Sequence, residues 1–169
     1  VTALDLDDDG SANVTMPFPF NVFGIASDQL CINNNGFLLL DWSKPCDGFQ
    51  QDAGIPNENA PLRSAQIAPF WDDLFTGGNV YYAVAGAPPH RRFIVQWDQK
   101  NHYNDGASDP GGVTFQAILE ETTHTVSFQY LNTFFGNPDH PEWDRGRSAT
   151  IGFTFARAQC IPAPFKRAS

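Results

Sequence analysis

Two acidic stretches carry the residues with the most evident chemistry. The first is Asp5-Leu6-Asp7-Asp8-Asp9-Gly10-Ser11. Asp5, Asp7 and Asp9 alternate and a glycine follows, which is the front half of a D-x-D-x-D-G calcium loop. Hard carboxylate oxygens at alternate positions suit calcium, and the glycine permits the sharp turn. The bidentate acid of the loop's last position is missing. Met16 stands there, and Asn13 offers another oxygen. The second stretch, IAPFWDDL over residues 67–74, sets Asp72 and Asp73 behind an apolar run. On a strand, neighbouring side chains point to opposite faces, so these two carboxylates should diverge. Paired-carboxylate catalysis needs both groups on one substrate, which adjacent strand residues do not supply. Each stretch has a ligand-free reading. Asp5 to Ser11 is then a solvated turn. In IAPFWDDL, Ile67, Phe70, Trp71 and Leu74 fill a core while the aspartates accept backbone hydrogen bonds at the strand end. The alternative makes Asp5, Asp7, Asp9, Asp72 and Asp73 metal ligands, with calcium as the implied cofactor.

Histidines and loop aromatics are the remaining candidates. His102 and His140 fall in polar loops beside Asp105, Asp109, Asp139, Glu142 and Asp144. Loops that meet at one end of the fold would bring these groups into a common ligand or metal site. No two histidines stand two or four apart, so zinc is not indicated. Trp42, Tyr103, Phe134, Phe135 and Trp143 lie in or beside loops. Exposed rings stack on sugars or anchor partner proteins, whereas rings that fold back cap the ends of a core. Tyr103 and Trp143 are the two expected to be exposed and ligand-binding. There is no G-x-S-x-G elbow, thiol-protease signature, phosphate loop or dinucleotide fingerprint.

Strands must position these groups. The chain has 169 residues, enough for one domain with a real core, and 15 Phe, 14 Gly and 13 Pro spread along it. Aromatics punctuated by turn formers are the composition of an all-β domain. Alternation marks strands over 14–23, 29–32, 36–42, 66–70, 79–85, 92–98, 113–120, 124–130 and 148–155. Pro17 and Pro19 place the first at an edge or a bulge. Asn35-Gly36 signals a hairpin. Residues 43–65, 99–112 and 132–147 read as long polar loops, with at most a helical turn or two in 58–65. The result is an antiparallel β-sandwich of about nine to ten strands with long polar loops. It forms a single domain over 1–169, with a core at about 12–155, an acidic turn at 5–11 and a tail at 156–169.

Three cysteines allow one internal disulfide, with Cys31–Cys46 the favoured pair and Cys46–Cys160 the next. The net charge of −9 argues against nucleic acid and against anionic membrane surfaces. No apolar run reaches transmembrane length, so membrane insertion is not expected.

The order of motifs carries a resemblance. PFPF, NNGFL, IAPFWDDL, GGNVYY, RRFIVQWDQKNHY, GGVTFQAILEETTHTVSFQY and SATIGF follow one another over roughly residues 12–155. This resembles the extracellular β-sandwich module appended to secreted bacterial proteases and surface proteins. It is also similar to the NIDO domain of nidogen, tectorin and mucin-type proteins. The resemblance implies a non-catalytic extracellular or cell-surface module. The expected function is structural, adhesive or assembly work on a protein or glycan partner, including self-association through an edge strand such as 14–23 or through the tail. A carbohydrate-binding module using Tyr103 and Trp143 is the alternative. A hydrolase using Asp105, Asp139 or Glu142 is the third reading.

Overall fold

The computed structural model describes residues 1–42, 46, 65–75, 77–103 and 112–155. The expected loop over 43–65, its helical turn, Asp105, Asp109, Cys160 and the tail over 156–169 lie outside these residues, apart from Cys46 and Ala65. Among the described residues, ten strands form two antiparallel five-stranded sheets. They are β1 (Thr2–Ala3), β2 (Ser11–Val22), β3 (Ile25–Asn33), β4 (Phe37–Leu40), β5 (Ala65–Trp71), β6 (Asn79–Ala85), β7 (Arg92–Lys100), β8 (Val113–Glu120), β9 (Val126–Asn132) and β10 (Thr150–Phe155). One sheet runs β1-β6-β7-β8-β9 and the other β10-β5-β4-β3-β2. A 3-10 turn at Asp144–Gly146 is the one helical element among the described residues.

The sandwich expected from alternation is therefore present. Its first long strand, β2, is an edge strand, and its register with β3 shifts between Thr15 and Phe20, across Pro17 and Pro19. Both expectations for those prolines hold, because proline cannot donate to a ladder. Met16, Phe18 and Phe20 turn inward from this strand while the two prolines face out. β1 had no alternation long enough to be read. It is a two-residue pairing of Thr2 and Ala3 with Tyr82 and Tyr81.

Between the sheets, Leu30, Ile32, Leu38, Leu40, Ile67 and Phe70 oppose Val80, Phe93, Val95, Trp97, Phe115 and Leu119. Phe115 stacks on Phe70 at 5.2 Å and on Trp97 at 5.0 Å, so one ring column joins the layers. The intervening residues of β3, β4 and β5 do not face water. Cys31, Phe37, Leu39, Ala68 and Trp71 form a second buried cluster with Cys46. The favoured disulfide, Cys31–Cys46, closes within this cluster. The middle of this sheet is thus apolar on both faces, which explains why β4 and β5 read as continuous hydrophobic runs.

The β3–β4 turn is Asn33-Asn34-Asn35-Gly36, and all three asparagines are fully buried. Gly36 has φ +81°, and a Cβ there would lie 1.9 Å from the Phe70 carbonyl oxygen. Gly36→Ala should cost about 3 kcal/mol from left-handed strain plus displacement of β5. Urea denaturation of the two proteins measures the difference.

At the opposite end of the sandwich, Arg91 grips Glu121 with two side-chain bonds, Nη2 to Oε1 at 2.6 Å and Nε to Oε2 at 2.8 Å. The Arg91 backbone N–H donates to Oε2 as well. These donors hold the Glu121 carboxyl down to about 2 from its usual 4.5. A carboxylate whose folded-state pKa is depressed stabilises the fold above its unfolded pKa, and the contribution fades as pH falls through the folded value. Glu121→Gln should therefore flatten the melting-temperature profile between about pH 4.5 and 2. A melting series across that window reads it.

Candidate functional site

The IAPFWDDL segment delivers its two aspartates to different partners. Asp72 is buried at 2 % exposure. Its Oδ1 accepts the Asp73 backbone N–H at 3.0 Å and its Oδ2 accepts the Ser148 hydroxyl at 2.6 Å. His102 Nε2 stands 3.6 Å from the same Oδ1. Serine, aspartate and histidine are together, but the carboxylate lies between the other two. The Ser148 proton is donated to Asp72, and no hydrogen bond joins Ser148 to His102 among the described residues. The order therefore differs from a Ser–His–Asp triad, in which the histidine stands between the other two and takes the hydroxyl proton.

β5 stops at Trp71, so the two aspartates follow the strand rather than continue it, and Asp73 reaches a different set of partners. One oxygen each from Asp8, Asp9 and Asp73 lies within 4.8 Å of the others. Burial, reinforced by Asp9, pushes the Asp8 carboxyl up. Burial likewise pushes Asp73 up, with Asp9, Asp8 and Asp72 adding to it and His102 opposing it. Lys100 is buried at 2 % exposure with Asp8 as its nearby acid, and burial lowers its ammonium to about 8.

The asparagine turn assembles this cluster. Asn34 N–H donates to the Gly10 carbonyl at 2.9 Å, beside Asp9. Asn34 Nδ2 donates to the Leu74 carbonyl at 2.7 Å, beside Asp73. Asn35 Nδ2 donates to Asp9 Oδ1 at 2.7 Å, while its Oδ1 accepts the Leu74 N–H at 3.0 Å. Two neighbouring side chains thereby hold both acidic segments.

Asp5 and Asp7 take no part in the cluster. Asp5 Oδ1 accepts Asn79 Nδ2 at 2.6 Å, and the Asp5 N–H donates to Asn79 Oδ1. Asp7 is exposed, and its carbonyl accepts the Gly10 N–H. Of the alternating set, Asp9 alone reaches the cluster, joined by Asp8, which the D-x-D-x-D spacing passes over. Asn34, Asn35 and Lys100 were also missed. Three asparagines before a glycine read as an exposed turn, and nothing in their spacing announces burial.

The polar loops of His102 and His140 do meet, on either side of Trp143. His102 stacks on the indole at 3.9 Å and His140 at 3.9 Å, with interplanar angles of 4° and 9°. His140 Nδ1 lies 2.8 Å from Glu142 Oε1, which holds that carboxyl below its usual range. Trp143 is 9 % exposed, so its expected exposure does not hold. Both ring faces are already covered, and no sugar can stack there. Phe135 is buried too, while Tyr103 is 47 % exposed, edge-on to Phe75. Asp144 Oδ1 accepts the Phe135 and Gly136 N–H groups, a loop brace. Asp139 is exposed.

A family model described as NIDO related matches residues 1–163. The chain belongs to the NIDO-related family. The match runs across both sheets, the acidic turn and the His–Trp–His stack, and it bears out the resemblance read from the motif order. No match to the chain is found among curated proteins or among solved structures. Membership and the Cys31–Cys46 disulfide support an extracellular type of module. No helix of the described residues is long and apolar enough to cross a membrane.

Replacing Trp143 by Ala in this NIDO-related domain should cost about 3–5 kcal/mol, because it empties a slot between two imidazoles. Trp143→Phe should recover most of the loss. Chemical denaturation of the three proteins separates these outcomes.

Proposed function

We propose that the chain is a non-catalytic module of a secreted or cell-surface protein, structural or adhesive in role, that joins partner proteins by strand addition. The observation that carries the reading is the edge strand β9. It ends its sheet, and among the described residues it pairs on one side only, with β8. Its sequence, VSFQYLN, contains neither proline nor charge. Leu131 is 87 % exposed on it and Tyr130 41 %. Edge strands of free-standing domains are usually blunted by proline, charge or a bulge. β2 is blunted in this way by Pro17 and Pro19, whereas β9 keeps regular register from Val126 to Tyr130 and its one irregularity lies at its end, where Leu131 is the extra residue between the Tyr130–Phe115 and Asn132–Thr114 pairs. A bare edge pairs readily with an extended segment, whose backbone supplies the bonds while alternate side chains supply selectivity.

Calcium belongs to this reading as a stabilising ion, since the chain carries a net charge of −9 and a cluster of three acids. Carbohydrate binding is the second reading, favoured by the exposed Tyr103 ring and weakened by the burial of Trp143.

Hydrogen exchange tests the first reading, using the chain itself as the partner strand. Amides of residues 126–132 should gain protection as protein concentration rises, and Leu131→Lys should abolish the gain. Unchanged exchange at every concentration, together with glycan binding that disappears in Tyr103→Ala, would replace it with the second.

A further inference from the structure

We infer that Asp8, Asp9, Asp73 and Asn34 form a calcium site that clamps the acidic turn before β2 to the segment leaving β5. The three carboxylates come from two segments far apart in the chain, with one oxygen each within 4.8 Å of the others. Two ligands on one calcium ion, each about 2.4 Å from it, stand at most about 4.8 Å apart. The spacing admits a shared ion.

A group of acids alone would prove little, because such groups occur on many surfaces. The independent observation is the set of oxygens left without donors. Asn34 is fully buried, and its Oδ1 has no hydrogen-bond partner. Its Nδ2 and backbone N–H are committed to Leu74 and Gly10, the residues next to Asp73 and Asp9. The carboxamide is thus wedged where the two acidic segments meet, with its acceptor unused. Asp8 Oδ1 and Asp73 Oδ1 are also buried atoms without a partner. Buried acceptors are almost always satisfied, and three orphans at one junction call for a common electrophile. Every donor atom is oxygen, from carboxylate or carboxamide, which selects a hard cation over zinc or copper. The carboxylates are only half-buried, so water can complete the six to eight positions calcium takes. Magnesium demands shorter bonds and a stricter octahedron.

Lys100 is the rival occupant, since it is a buried cation near Asp8. It contributes one positive charge against three carboxylates, and Asp8 is the acid it acts on. The ion would join Asp73 to the N-terminal turn and balance the charge that one ammonium leaves. Leu74, next to Asp73, bridges to His102 after β7. The clamp therefore lies where the chain crosses from one sheet to the other.

This site supplies the ion in the module reading above, and the two are tested apart. The test is a thermal melt of the full chain in EDTA, in calcium chloride and in magnesium chloride, paired with calcium titration calorimetry. Calcium should raise the melting temperature by a few degrees, about 3–6 °C at millimolar ion, and magnesium by less. Asp73→Asn and Asp8→Asn should each weaken binding about 10-fold or more and erase the shift, while Asp5→Asn and Asp7→Asn keep it. Asp8 lies in a turn outside the strands, so its variant retains the fold even if Asp73→Asn does not. The absence of heat and shift in the wild-type chain overturns the site. A shift lost in Asp7→Asn and kept in Asp8→Asn overturns it too, in favour of the alternating loop. Either failure leaves the β9 exchange result untouched, and loss of that result leaves the ion untouched.

Discussion

A buried turn of three asparagines holds this sandwich together at one end. Asn33, Asn34 and Asn35 are each fully excluded from solvent, so every polar atom they carry needs a partner. Those partners tie the fold into one unit. The Asn33 carbonyl accepts the Trp97 indole N–H from the opposite sheet at 3.0 Å. Asn33 Nδ2 donates to the Cys46 carbonyl at 2.7 Å, and Asn33 Oδ1 accepts the Asn35 N–H at 2.7 Å. Asn34 and Asn35 then reach the acidic turn and the segment after β5. Backbone carbonyls of Asn35 and Gly36 accept the N–H groups of Asp72 and Phe70. A four-residue turn thus contacts both sheets, the disulfide and both aspartate segments.

The cost of burying such a network explains the chemistry around it. Water is excluded from the turn, so the neighbouring carboxylates lose solvation, and those of Asp8 and Asp73 shift upward. Lys100 loses it too, and its ammonium becomes easier to deprotonate. The same low-dielectric surroundings strengthen whatever bonds do form, such as Ser148 to Asp72. Charge accumulates here because the fold needs polar side chains to hold four segments, and the acids arrive with those segments.

Aromatic packing works differently at the loop end. Trp143 is covered on both faces by imidazoles, and Phe135 meets His102 edge-on at 5.3 Å. These rings close the end of the sandwich instead of presenting a platform. The open surface lies at the sheet edge, where β9 leaves Leu131 and Tyr130 partly bare.

Alternation in the chain was enough to show two antiparallel layers, an edge position for the PFPF strand and the Asn–Gly hairpin, because side-chain direction along a strand is local. Closeness in sequence favoured the Cys31–Cys46 pair, whereas the separation of Asp72 from Asp73 was expected from a strand that in fact stops at Trp71. The motif order pointed to the family for the same reason: residues in series are legible in series. Which acids share a pocket was not legible. Asp8 displaced Asp5 and Asp7 because Asn79 holds Asp5 and the turn leaves Asp7 in solvent. Trp143 was hidden by two histidines that follow different strands. Burial of the asparagine turn depends on what folds over it from residues 9–10, 46, 72–74 and 97. Those contacts are long-range, and only the tertiary structure decided them, since a side chain's solvent is set by the segments that arrive around it.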